Sequence, residues 1–165
     1  MSDQAEYQEF VRARAGHLFQ TAYFICGNWH DAQDLVQTSL AKVYVSWSRI
    51  EKRENADAYT RTVMLRTYLS HRRLRRSAEL PVDELEATQA TNEDQDLRLA
   101  LVAALRQLPP RNRAVIVLRY LEGHSVEEVA RMTGSTAAAV KSRTTRSLAR
   151  LRDALGEDRD VLFTR

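Results

Sequence analysis

The chain of 165 residues has a single cysteine, Cys26. No disulfide can form within it, which is consistent with a reducing compartment. Three prolines and five glycines leave few interruptions, and scarce breakers favour long helices. No apolar run approaches the ~20 residues that a membrane span requires. The acidic start Met1-Ser2-Asp3 does not resemble a signal peptide. There is no phosphate-binding glycine loop and no CxxC pair; His17, Cys26 and His30 lie near one another but lack a convincing fourth zinc ligand. His17 and Cys26 fall on or beside an apolar helix face, where a core or boundary role is the plainer one. No catalytic residues, metal or cofactor are therefore expected.

Net charge is also modest, 25 Lys+Arg against 22 Asp+Glu, or +3, and alone it identifies no partner. Its distribution is more informative. Arg61 to Arg76 carries six arginines and no acid, whereas Glu79 to Asp96 carries seven acids and no base. Two basic regions separated by an acidic one suggest two nucleic-acid contacts with something different between them.

Hydrophobic periodicity predicts an all-α chain. A first helix runs from about Asp3 to Cys26, with Tyr7, Val11, Ala15, Leu18, Ala22 and Ile25 on one face, and Gly27-Asn28 ends it. A second runs from about His30 to Ser48 with Ala32, Val36, Leu40, Val43 and Trp47 on its stripe; Trp29 before it is placed to staple its start. A third runs from Asn55 or Ala56 to about Arg73, with Tyr59, Val63 and Leu69 as its expected core. These helices form a first domain, residues 1–76. Residues 77–95 read as an acidic linker. Leu97, Leu101, Leu105 and Leu108 then start a four-helix second domain, 96–156, and 157–165 form a tail.

The strongest local signal lies from Pro109 to Leu155. Pro109-Pro110 opens a helix reaching about Leu121, since proline suits a first turn. Ser125-Val126-Glu127-Glu128 has capping-box spacing, and the short helix it begins stops at Gly134. Ser135 or Thr136 caps a last helix whose stripe is Ala137, Val140, Thr144, Leu148, Leu151 and Leu155. This is a helix-turn-helix. Its second helix is built for a major groove: small residues Ala137, Ala138 and Ala139 at the start, then Lys141, Arg143, Arg146, Arg150 and Arg152 with no acid until Asp153. A solvated basic face is the bland alternative; cap, glycine turn and one-signed helix together favour DNA.

On the second helix Asp31, Asp34 and Gln37 lie roughly opposite the apolar stripe. Taken alone, the two acids simply complement the helix dipole. The run Asp31-Ala32-Gln33-Asp34-Leu35-Val36-Gln37 with Val43 and Trp47, however, resembles region 2.2 of the sigma-70 family. Ala58-Tyr59 to Arg76 resembles regions 2.3–2.4, and Leu108-Pro109-Pro110 through Val140-Lys141-Ser142-Arg143 resembles regions 4.1–4.2. The chain is similar to the minimal, extracytoplasmic-function sigma factors, and Tyr59 with Tyr68-Leu69-Ser70 and Arg72-Arg73 is most like their actinobacterial SigE-like branch.

The resemblance implies a bacterial, cytoplasmic, nucleoid-associated initiation factor with no enzymatic activity. Its implied partners are core RNA polymerase (the β′ clamp helices and β flap), promoter DNA and an anti-sigma factor. It assigns Asp31, Asp34, Leu35 and Gln37 to the clamp helices. It assigns Lys52, Arg53, Asn55, Arg61, Arg66, Arg72, Arg73 and Arg76 to the −10 element, with a base pocket at about Lys52 to Asp57. Arg66 and Ser70 depart from the asparagine and aspartate usual there, so the −10 preference need not be the common one. Ser135, Thr136, Ala138, Lys141, Ser142, Arg143, Thr145 and Arg146 face the −35 element. The linker is then either a solvated tether or a nucleic-acid mimic threading a polymerase channel. The rival from residues alone is a stand-alone helix-turn-helix repressor, which normally needs a dimer interface to read paired half-sites; no spare apolar helix offers one. A nucleic-acid enzyme lacks the clustered acids it would need, and a sequestering paralogue remains a third alternative.

Overall fold

The computed structural model describes residues 2–50, 53–76 and 93–156, and every regular element among them is helical. Helix α1 spans Asp3–Cys26; Ser2 caps its start, and Gly27 ends it in the left-handed region at φ 80°. Helix α2 (Trp29–Ser46) is capped by Asn28, whose side chain accepts from the Asp31 amide at 2.8 Å, and it closes in a 3₁₀ turn, Trp47–Arg49. Trp29, expected before the helix as a staple, is instead its first residue, and its ring packs edge-on against Phe19 of α1 with centroids 4.2 Å apart. Helix α3 spans Ala56–Arg76 and α4 spans Glu93–Arg106. Residues 93–95, expected as linker, are thus helical; the rest of that segment, 77–92, and the tail from 157 lie outside the described residues.

The helix expected from Pro109 to Leu121 is α only from Pro110 to Ile116, here α5. Val117–Leu121 widens into a π turn, with the Glu122 amide donating to the Val117 carbonyl at 3.0 Å. A π turn holds an extra residue, so the residues after it are displaced around the axis relative to a continuous α-helix. Helix α6 (Val126–Thr133) starts on the complete Ser125–Glu128 capping box and ends on left-handed Gly134 at φ 64°. Helix α7 spans Ala137–Leu155 with Thr136 as its cap.

The two halves do not have separate cores. Leu18, Ala22, Ile25, Leu35, Met64 and Tyr68 of the first half share one buried cluster with Val102, Leu105, Ile116, Leu151 and Leu155 of the second. Leu65 joins a second cluster with Ala114, Val115, Leu118, Val129 and Val140. The expected core face of α3 is corrected accordingly. Tyr59 is 40 % exposed, Val63 and Leu69 are partly buried, and Met64, Leu65 and Tyr68 carry the burial. The reason is that α3 is covered twice: α1 and α2 pack on one side, α5 and α6 on another.

Two polar details fix the seam between the halves. Arg113 is 3 % exposed, and its guanidinium donates to the Ile25 carbonyl at 2.9 Å and the Leu108 carbonyl at 3.1 Å. A Cβ at Gly27 would sit 2.6 Å from the Arg106 Cγ, so the glycine serves both its own backbone angle and the approach of α4.

A continuous core predicts joint unfolding. Leu105→Ala should cost about 2–5 kcal/mol, read from urea titrations. Tryptophan fluorescence, which reports Trp29 and Trp47, should move together with helical circular dichroism; separated midpoints would show two independent units.

Candidate nucleic-acid and polymerase interface

The last helix presents its polar face by construction. Val140, Ser147, Leu151 and Leu155 are buried, which turns Ala138, Lys141, Ser142, Thr145 and Arg146 together to solvent. These positions follow the three- and four-residue steps of one helix face. The sequence stripe missed Ser147, because its polar type hides a buried position. Thr136 accepts from the Ala139 amide at 3.1 Å, and Ser135, half-buried, shares a 2.7 Å hydroxyl contact with Thr133 across the turn. Arg146 donates to the Ser142 hydroxyl at 3.0 Å within its own helix, so it lies along the face. Arg143 is held differently: it is half-buried and donates to the Asn112 side chain at 3.0 Å. It therefore ties α7 to α5, and its charge reaches the exposed face only at the margin.

On α2, the structure brings Asp31, Asp34, Leu35 and Gln37 together along a groove of about 320 Å³, whose wall also includes Thr38, Tyr68 and His71. Asp34 and Gln37 are exposed. Asp31, in the first turn of the helix, accepts from the side chain of the capping Asn28 at 2.8 Å. Leu35 is corrected: at 4 % exposed it belongs to the shared core. Its spacing puts it on the inner side of the helix, where it supports the groove from beneath.

The residues expected at the −10 element divide. Arg66 is exposed, beside a cleft of about 410 Å³ that Ala58 and Thr62 share with His124, Glu128, Arg131 and Met132 of the second half. Asn55 is exposed in a 3₁₀ turn, Arg53–Asn55, just before α3. Arg61 is not free: its guanidinium lies 2.9 Å from Asp57 and 3.3 Å from Glu122. Lys52 lies outside the described residues, as do the side chains of Arg53, Arg72, Arg73 and Arg76.

Glu122 is the residue the sequence did not single out; it looked only like the close of a helix. Its side chain is 4 % exposed. It accepts from the Thr21 hydroxyl and from His17 Nε2, the latter at 3.1 Å. Burial works against its ionisation, but the Thr21 and His17 bonds and the Arg61 charge outweigh it and hold the carboxyl below its ordinary value. Nothing local marks it, because Thr21 and His17 lie 101 and 105 residues away in sequence and Arg61 is on another helix. Among the described residues, no group of three or more His, Cys, Asp or Glu is placed to hold a metal ion, and no helix is long and apolar enough to cross a membrane.

Comparison with known proteins agrees with this layout. Residues 10–78 match the family Sigma-70 region 2, and residues 98–151 match Sigma-70, region 4. The RNA polymerase sigma-E factor of Streptomyces coelicolor is 40 % identical over 158 residues, covering 94 % of this chain and 89 % of that protein. The ECF RNA polymerase sigma factor SigE of Mycolicibacterium smegmatis is 34 % identical, covering 94 % of this chain and 65 % of that one. The solved sigma factor RpoE of Bartonella quintana, determined in complex with the anti-sigma factor NepR, aligns with a TM-score of 0.73 at 24 % identity, over 92 % of this chain and 98 % of that one. At that identity the likeness speaks for the fold alone.

Loss of the Thr136 cap should loosen the first turn of α7, where Ala138 sits. Thr136→Ala is expected to cost about 1 kcal/mol, measured by denaturant midpoint. Thr136→Ser should restore most of it, and equal losses in both variants would assign the effect to something other than the cap.

Proposed function

The chain belongs to the sigma-70 family, as an extracytoplasmic-function RNA polymerase sigma factor that directs promoter-specific initiation, and from that premise we propose how its residues divide the work. The α2 groove, with Asp34 and Gln37 at its surface and Asp31 beside them, grips the β′ clamp helices of core polymerase. The exposed α7 face, Ala138 to Arg146, reads the −35 element, with the adjoining second half against the β flap. Helix α3, through Arg61, Arg66 and the arginines that follow, holds phosphates at the −10 element. Asn55 and its neighbours border the pocket for bases leaving the stack. Phosphate contacts fix register, and base-edge contacts carry sequence.

The observation supporting this division is the pairing of a capped helix-turn-helix, its cationic face turned to solvent, with a separate acid-lined groove. A repressor needs the first and has no use for the second. The protein acts by binding alone, with polymerase supplying all bond-making chemistry, in the cytoplasm of a bacterium at the nucleoid. An anti-sigma factor is the expected inhibitor.

Run-off transcription with purified core polymerase over a random promoter library tests the whole. Transcripts should require both proteins and share two sequence elements; none above core alone would overturn the assignment. Arg146→Ala should weaken one base preference in the upstream element by about 1–3 kcal/mol with polymerase binding intact. Asp34→Ala combined with Gln37→Ala should weaken polymerase binding by about 1 kcal/mol or more, leaving the fold unchanged by circular dichroism. Reversed outcomes would exchange the two surfaces.

A further inference from the structure

The cleft between α3 and α6 holds two arginines that no acid claims. Arg66 comes from α3 and Arg131 from α6, and both are exposed. Neither guanidinium makes a hydrogen bond or an ion pair among the described residues. Arg61 and Arg143, by contrast, are held at 2.9 Å and 3.0 Å. One acid does line the cleft, Glu128, but its carboxylate is already engaged. It accepts from the Ser125 amide at 3.1 Å and from His124 Nδ1 at 3.0 Å, and Arg131 adds only its charge at a distance. Two cations brought to one cleft repel each other, and an anion between them removes that cost.

The rest of the wall is fixed and mixed in character. The His124 amide donates to the Leu118 carbonyl at 2.9 Å, and its own carbonyl accepts from Arg119 at 2.7 Å. With Nδ1 on Glu128, its Nε2 is buried and has no hydrogen-bond partner among the described residues. The Thr62 hydroxyl donates to the Ala58 carbonyl at 3.1 Å, which leaves its oxygen able to accept. Ala58 and Met132 add apolar surface, and the cleft measures about 410 Å³. That lies within the ~300–1,000 Å³ of small-molecule sites and is more than a lone phosphate needs.

We propose that this cleft is a binding site for a nucleoside phosphate, with Arg66 and Arg131 on the phosphate oxygens and Ala58 and Met132 against the base. Guanidinium forks match phosphate oxygens in pairs, and a methionine side chain adapts to the edge or face of a ring. The Thr62 oxygen is left to accept from a sugar hydroxyl. Because the two arginines belong to different halves of the chain, the site exists only where α3 and α6 are packed together, as they are here. It does not depend on the assignment of α3 to promoter DNA, so the two can fail separately.

Isothermal titration of the full chain with ADP and GDP at physiological ionic strength should show one site per molecule. Adenosine, which has no phosphate, should bind at least about tenfold more weakly. Arg66→Ala and Arg131→Ala should each weaken nucleotide binding about tenfold or more, the scale of one charge-assisted hydrogen bond. Arg12→Ala removes an exposed cation of α1 that is not part of the cleft, and screening should hold its effect within about twofold. Binding of neither nucleotide, equal binding of adenosine, or a loss in Arg12→Ala as large as in the cleft variants would each overturn the proposal. A loss confined to Arg66→Ala would do the same, since α6 would then take no part. A short oligothymidylate, added in competition, should not displace the nucleotide. Displacement that requires both arginines would give the cleft to single-stranded nucleic acid and remove the small-molecule site. Circular dichroism should be unchanged throughout, and if either alanine variant loses helix, Arg66→Gln and Arg131→Gln carry the same titrations.

Discussion

A carboxylate taken out of water must be met by fixed donors, and at Glu122 those donors all come from the other half of the chain. Thr21 and His17 sit on α1 and Arg61 on α3. A buried charge of this kind gives little net stability, because desolvation offsets most of the attraction. Its effect is on specificity: a displaced seam would strand the charge, so the second half has one acceptable seat. The apolar surface of Leu18, Leu105, Ile116 and Leu155 supplies most of the attraction, and Glu122 with Arg113 determines where it is used.

Helix α3 must satisfy two environments with one sequence, and its composition reflects that. Thr60 is buried, and its hydroxyl donates to the Ala56 carbonyl at 2.7 Å, so a polar residue is tolerated in the core without an unmet donor. Thr67, also buried, receives the Lys42 ammonium at 3.0 Å from α2. Arg61 pairs with Asp57 one turn earlier as well as with Glu122. Asp57 thus orients the guanidinium from within α3 itself.

What the sequence disclosed follows the range of the interactions concerned. The boundaries of α1, the Ser125–Glu128 box, the Gly134 turn and the Thr136 cap were legible, because each is decided within four residues. The polar face of α7 was legible for the same reason, through the spacing of Val140, Leu151 and Leu155. Tyr59 was misplaced and Leu65 overlooked because a periodicity argument assumes one buried face, whereas α3 has a second cover contributed by residues beyond 110. Leu35 belonged to a recognisable motif, but a motif does not say which of its members point inward. Glu122 was invisible: a glutamate before a glycine looks like the end of a helix, and only the π turn and docking to α1 make it a buried ion. Arg113, an ordinary cation in an ordinary first turn, escaped notice likewise.

The packing of the halves treats the two helices proposed for DNA unequally. The face from Ala138 to Arg146 stays in solvent, while α3 is partly covered by α5 and α6 and its Arg61 is already paired. The cationic face of α7 is therefore available for charge-driven, salt-sensitive contacts as it stands, whereas α3 offers Arg66 but has its Arg61 guanidinium held by Asp57 and Glu122.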